Sequence, residues 1–403
     1  MNAWRKAVVA GSAAAAAGLT AGAAAFAASV QFARSTVRVA ERSERSVRVL
    51  RVVRGEVTRV WLAGEGVDAL GRQSLLFETP DDLANVLSGR EPSGHARLGP
   101  VVARSGISVL REVERVDRGT LEAGAEGRMV GWWYTRPEEL GYRVERTSFE
   151  SEIGELDAWI VRPRWPRKRR WAVHVHGRGA RPEETFRGIA PLARAGVTSL
   201  IINYRNDEQQ PPGHGSRYGL GISESRDVDA AVGRALDLGA ERVTLVGWSM
   251  GGTASLLAAA DGVNRHHIDG IILDSPGIDW PEILRWHTRL KRAPLWIANV
   301  GMRMLRAGLV SSGEEGGIDV QSLRPEHFAS RLSVPTLVLA SPDDRYVPWA
   351  GARELAGLCP EHVQLVTISG ARHVRLWNVD PERWEQAVLD FAAALPRPGW
   401  RGQ

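Results

Sequence analysis

From Glu145 onward, short apolar runs rich in β-branched residues alternate with longer stretches whose apolar positions recur every three to four residues. The short runs, Leu156 to Val161, Ala172 to Val175, Val197 to Tyr204, Val243 to Gly247, Ile268 to Leu273, Val334 to Ala340 and Val363 to Ile368, predict buried strands. Helices are predicted near Glu183 to Ala195, Glu224 to Leu238 and Gly251 to Ala260. This alternation predicts an α/β protein with a doubly wound, mostly parallel sheet. Between Asp279 and about Ser333 the rhythm gives way to a helical stretch carrying Trp286, Trp296, Met302 and Met304. Such an insertion reads as a cap or lid over the sheet edge, or equally as ordinary packing helices.

Upstream the pattern differs. Residues 46–135 hold runs such as SVRVLRVV, VTRVWLA, RQSLLFET and GRMVGWWYT, separated by Gly, Asp and Glu. They predict a mostly antiparallel β region, either a small separate domain or an extension of the main sheet. Before it, Ala7 to Ala33 carries no charge. As a helix it would exceed the roughly 30 Å core of a bilayer, so it reads as an apolar N-terminal helix and an uncleaved single membrane anchor. Secretion after cleavage at an Ala25-Phe26-Ala27 site is the alternative. Arginines from Arg34 to Arg54 crowd the far side of the segment and favour a cytoplasmic catalytic domain, whereas secretion would place it outside, so the side of the membrane stays open. Three parts follow: an anchor or signal segment at 1–34, a β-rich region at 35–143, and an α/β domain at 144–403 with its cap at about 279–333.

In a chain of 403 residues, 43% apolar content suffices for a large core. The net charge of +5 and the basic run RPRWPRKRRW at 162–171 raise the question of nucleic acid. Two prolines and a place just before a strand make that run a solvated surface loop, and an anionic membrane surface accounts for the basicity as well. No nucleic-acid partner is expected. The single cysteine, Cys359, excludes an intrachain disulfide and a cysteine-based metal site. With no phosphate-binding loop or dinucleotide fingerprint, no cofactor and no metal are expected.

The chemistry is concentrated at four strand ends. VTLVGWSMGGTASLLAAA, residues 243–260, is a strand, a GxSxG turn centred on Ser249, and a helix of small residues. A strand turning at once into a helix forces that serine into strained backbone geometry and exposes its hydroxyl, and the flanking glycines leave room for it. A serine needs a base, a carboxylate to orient the base, and donors for an oxyanion. The carboxylate is expected in SPDDRYVP, where Asp344 is preferred over its neighbour Asp343 because it opens a DxxVP pattern. The base is expected at His373, after the Gly370 turn and before a helix capped by Asp380 with Pro381 in its first turn. His373 follows Asp344 by 29 positions, room for one helix and one strand, so both loops can reach one edge. The Gly-rich bend His176-Gly177-Arg178-Gly179 offers the Arg178 backbone amide as one oxyanion donor, and the Met250 amide at the start of the elbow helix as the other.

With HVHGRG at 174–179, GWSMGG at 247–252, ILDSP at 272–276, DRYVP at 344–348 and GARHVRLWNVDP at 370–381, the chain resembles the α/β-hydrolase superfamily. Within it, the likeness is greatest to the bacterial branch near serine aminopeptidases and prolyl-oligopeptidase-like esterases, and it spans roughly residues 144–396. The resemblance implies Ser249 as nucleophile, His373 as general base and then acid, Asp344 as orienting carboxylate, and the Arg178 and Met250 amides as oxyanion donors. Ala340 and Ser341 stand where many relatives have His-Gly, which loosens the choice between Asp343 and Asp344; Asp274 is a further carboxylate that some branches could use. The implied function is serine hydrolysis of an acyl bond, foremost a carboxylic ester, with peptidase, amidase or acyltransferase activity as alternatives within the same chemistry. An inert binding module of the same fold is the alternative from another class.

Overall fold

The computed structural model describes residues 22–39, 45–78, 92–166 and 169–396. Its main body is an eight-stranded sheet in the order β14-β13-β12-β11-β9-β10-β8-β7. Six strands run parallel: β9 (Arg170–Val175), β10 (Thr198–Ile202), β11 (Arg242–Trp248), β12 (Ile268–Asp274), β13 (Thr336–Ala340) and β14 (Val363–Thr367). The hairpin of β7 (Arg143–Ser151) and β8 (Gly154–Arg162) joins antiparallel at one edge.

Alternate residues along each central strand serve opposite cores, as the two-residue period of a strand requires. Val173, Val175, Leu245, Ile271, Leu273 and Val338 pack with helices α3 (Ile222–Asp237), α4 (Met250–Asp261) and α8 (Ala350–Leu358). Ala172, Val246, Trp248, Ile272, Leu337 and Leu339 pack with α2 (Ile189–Arg194) and α10 (Pro381–Ala394). Burying both faces is what makes these strands continuously apolar in sequence. The sheet is therefore doubly wound. The tail of the basic run departs from the expected surface loop, because Arg170 and Trp171 are drawn into β9 and buried while Trp165 stays exposed.

Pairing registers align the strand ends. Val175 lies opposite Gly247, Trp248 opposite Asp274, Asp274 opposite Leu339, and Ala340 opposite Thr367. All the loops that follow these residues emerge at one edge. At this edge lies α5 (Trp280–Leu290), whose Trp286 reaches the loop after β13. Helix α6 (Leu295–Arg306) packs on α5, whereas α7 (Pro325–Ala329) packs on α4 and α8, and Arg331 just after it pairs with Asp261 at the far end of α4. Met302 and Met304 of α6 are buried, but Trp296 is exposed.

The upstream β region is a closed barrel in the order β1-β2-β5-β4-β3-β6, antiparallel throughout. Its strands are β1 (Val47–Val53), β2 (Arg59–Gly64), β3 (Gln73–Glu78), β4 (Gly94–Ser105), β5 (Ser108–Arg118) and β6 (Glu126–Val130). Val47, Val49, Val60, Leu62, Leu75, Phe77, Leu98 and Val109 fill the interior from alternating positions. The barrel strands close on one another and do not join the main sheet; β7 and β8, which extend that sheet, follow the region expected to be β-rich.

The described end of the expected anchor packs in part against the protein. Residues 22–37 form helix α1, and its Ser29, Ala33, Thr36 and Val37 are buried against protein. A side chain at Gly301 of α6 would come within 2.6 Å of Phe32, so α1 and α6 are in close contact. Among the described residues, no helix is long and apolar enough to cross a membrane. Residues 1–21 of the expected anchor lie outside the described residues.

Candidate active site

Ser249 occupies the turn between β11 and α4 with φ 51° and ψ −118°, a strained conformation for a residue with a Cβ. The turn is overdetermined by its neighbours. Ser249 N–H donates to Asp274 O at 3.0 Å, and Ser249 O accepts from Gly252 and Gly277 N–H, each at 3.0 Å. Glycine is required on both sides: a Cβ at Gly247 would lie 2.5 Å from Gly251 O, and one at Gly251 2.3 Å from Val175 O.

His373, in the loop after β14, places Nε2 at 2.9 Å from Ser249 Oγ. Its Nδ1 lies 2.7 Å from Asp344 Oδ2, and Asp344 Oδ1 accepts the Tyr346 and Val347 N–H groups at 2.8 and 2.9 Å. These backbone bonds hold one carboxylate oxygen and leave the other for the imidazole. Burial opposes a charge on His373, but the Asp344 carboxylate outweighs it and holds the imidazole pKa above the ordinary histidine value. Tyr346 lies against the same imidazole at 5.0 Å between ring centroids, and His287 of α5 meets Tyr346 edge-on at 4.5 Å. Trp286 Nε1 donates to Arg345 O at 2.9 Å, so the helical insertion touches the Asp344 loop directly.

The other carboxylates of the sequence analysis are placed elsewhere. Asp343 Oδ2 accepts Gly370 N–H at 2.6 Å, closing the turn that leads to His373. Asp274 is buried at the end of β12, accepting from Ser275 Oγ at 2.9 Å and Trp384 Nε1 at 2.8 Å. Burial pushes its pKa up to about 6 despite nearby Arg187. A second serine–histidine pair, Ser199 Oγ and His174 Nε2 at 2.9 Å, is buried inside the sheet. Burial lowers the His174 pKa to about 3 and keeps it neutral.

The Gly-rich bend is held by residues that the motifs did not single out. Gly177 N–H donates to Glu184 at 2.8 Å, and Gly177 O accepts from Tyr204 Oη and His176 Nδ1, each at 2.9 Å. His176 Nε2 in turn faces Asp207 Oδ2 at 2.8 Å. Burial opposes a charge on His176, yet Asp207 raises its pKa, favouring an imidazolium that donates from both nitrogens. A trans peptide carries its C=O and N–H in opposite directions, so anchoring Gly177 O turns the Arg178 N–H away from His176 and Tyr204. The loop abuts the elbow: a Cβ at Gly177 would lie 3.0 Å from Ser249 Cβ. Met250 opens α4, where an N–H has no acceptor within the helix.

The Arg178 side chain faces the other way. Its Nη2 donates to Ser35 O at 3.1 Å and Arg38 O at 2.8 Å, at the end of α1, and its guanidinium lies over the Tyr218 ring. His176 could be suspected from its place before the glycines, but nothing in the sequence marks Tyr204, Asp207 or Glu184 as their partners. Among the described residues, no group of histidine, cysteine and carboxylate side chains is arranged to hold a metal ion.

The family described as "Alpha/beta hydrolase family" matches residues 172–387, and a domain of unknown function matches residues 85–130. Among curated proteins none matches. Similar solved structures include an esterase from Pyrococcus furiosus, 18% identical, covering 64% of this chain and 93% of its own, with a TM-score of 0.48. Est1E from Butyrivibrio proteoclasticus, with ferulic acid bound, is 21% identical over 61% of this chain and 97% of its own, with a TM-score of 0.47. An alpha-beta serine hydrolase homologue from Coxiella burnetii is 17% identical over 61% of this chain and 96% of its own, with a TM-score of 0.43.

Proposed function

This chain belongs to the alpha/beta hydrolase family, and we propose that it is a serine esterase working through an acyl-enzyme on Ser249. The observation that carries the reading is the continuous row Ser249 Oγ, His373 Nε2, His373 Nδ1, Asp344 Oδ2, with separations of 2.9 and 2.7 Å across its two hydrogen bonds. Ser249 Oγ attacks the ester carbonyl while His373 takes its proton, and Asp344 stabilises the imidazolium that forms. The Arg178 and Met250 amides receive the oxyanion. His373 then protonates the departing alkoxide, and in the second half it activates the water that frees the acid. A carboxylic ester is favoured over an amide because an alcohol leaves more readily than an amine. The substrate is a small-molecule ester.

The experiment is Ser249→Ala assayed on short acyl esters, with fluorophosphonate labelling of the parent protein. Labelling at Ser249 and a fall in kcat of as much as about a millionfold are expected. Retained turnover in the variant would point to another nucleophile, and an unreactive Ser249 in the parent would point to an inert binding module.

A further inference from the structure

We propose that the N-terminal barrel positions His373, gripping the loop that carries it on both sides, and so acts on turnover rather than on substrate binding. The inference rests on the reading of His373 as the general base. After Ser249 and Asp344 are set on the sheet edge, His373 still needs support. It sits in a loop between β14 and the short helix α9 (Leu376–Val379), and the residue after it, Val374, has φ 50°. A β-branched side chain seldom adopts that conformation, and it persists only where the surroundings impose it.

Part of that support comes from the α/β domain. Ser275 Oγ accepts Val374 N–H at 3.1 Å, and Arg187 Nη1 donates to Val374 O at 2.9 Å and to Asn378 Oδ1 at 2.5 Å. The rest comes from the barrel. Ahead of His373, Arg372 pairs with Asp68 at 2.8 Å, and a Cβ on Gly370 would lie 2.7 Å from Leu70. Behind it, Arg375 donates to the Gln73 side chain and, at 2.9 Å, to Met129 O. Asn378 donates to Gly131 O at 3.2 Å and accepts Arg72 N–H at 2.8 Å. Gly71, at φ +70°, comes so close that a Cβ there would lie 2.1 Å from Asn378 O.

Most of these barrel contacts come from one turn, residues 65–72 between β2 and β3, and the barrel holds that turn rigidly. Arg111 of β5 is buried inside the barrel, and its guanidinium donates to Val67, Ala69 and Gly71 O at 2.9, 2.8 and 2.5 Å, and to Gly99 O at 2.9 Å. Burial lowers its pKa to about 10, although the nearby Asp68 carboxylate opposes the shift. A buried cation is a costly way to fill a barrel if packing were its only role. Here it fixes the turn that meets the histidine loop.

The test compares Arg375→Met, which deletes both barrel bonds of that side chain, with Arg375→Lys and Gln73→Ala, on the full chain with a short acyl ester. Arg375→Met is expected to lower kcat by about tenfold to a hundredfold, the scale of a small misplacement, while KM changes less than about twofold. The acidic limb of its kcat/KM profile should move to lower pH as the His373–Asp344 bond loosens. Arg375→Lys should recover part of kcat. If Arg375→Met does not fold, Gln73→Ala, a milder change on the barrel side, carries the same expectation at smaller size. Folded variants with kcat and pH profile unchanged, or with KM alone raised, would overturn the proposal. Activity surviving His373→Ala would instead remove the base on which it rests, and that result is distinct.

Discussion

Asp274 ends one strand and Asp344 follows its neighbour at the same sheet edge, both are buried, and their surroundings give them opposite tasks. Asp274 ends β12 and receives the hydroxyl of Ser275 and the indole of Trp384 from α10. Ser275 Oγ passes the connection on by accepting Val374 N–H, so Asp274 supports the histidine loop from beneath. Asp344 lies beyond the end of β13, where two backbone N–H groups hold one oxygen and the other faces His373. A strand end is therefore not enough to make a carboxylate part of the reaction. What its second oxygen meets decides.

The largest expected effect separates the two directly. Asp344→Asn should reduce kcat about ten-thousandfold, because an amide can hold the imidazole in the wrong tautomer and cannot stabilise its charge. Asp274→Asn should stay within about tenfold of the parent, since it acts only through the support of the loop. Equal losses, measured as kcat on one ester, would erase the distinction.

The next effect is a pH dependence. Since Asp344 raises the His373 pKa, kcat/KM should decline with falling pH through a value above that of an ordinary histidine. In Asp344→Asn the residual activity should persist to lower pH. A profile unmoved by that substitution would mean that another group titrates.

Asp274 should instead reveal itself in stability. Its folded pKa of about 6 lies above the unfolded carboxyl value, so folding favours the protonated form. That contribution is fully present below about pH 4 and lost as the pH rises to about 6. Asp274→Asn does not titrate, so the stability of the parent relative to this variant should fall across that window and then level off. Denaturant unfolding at several pH values measures the gap; a constant gap would contradict the assignment.

The smallest effect belongs to Asp343. Asp343→Ala removes the acceptor of Gly370 N–H and should lower kcat only about threefold to tenfold, in keeping with one lost turn bond. A loss as deep as that of Asp344→Asn would make Asp343 the orienting carboxylate after all.

The elbow was legible because its requirements are local. Val243 to Ala260 needs an apolar strand, glycines where backbones touch, and small residues for a buried helix, and each demand appears in the residues that meet it. His373 could be approached through its turn and the Asp380 cap that follows, whose side chain accepts Arg383 N–H at 3.0 Å. Between Asp343 and Asp344 the sequence offers only the DxxVP pattern that favours Asp344, the residue that meets His373. Adjacent carboxylates share nearly every sequence signal, and the register of the loop selects which one meets the imidazole. The partners of the Gly177 peptide were hidden for the same reason, since Asp207 lies 31 positions from His176 and belongs to another loop.

The sequence by itself determined the parallel sheet, the antiparallel region before it and the strand-end location of the chemistry, because periodicity and glycine spacing are properties of neighbouring residues. Only the tertiary structure decided that α1 ends against α6 and the Arg178 side chain, and that the barrel closes and leans on the His373 loop. The bond between Arg375 and Gln73 joins residues 302 positions apart. A contact across such a distance leaves no pattern in the local sequence, because it depends on the packing of every element between.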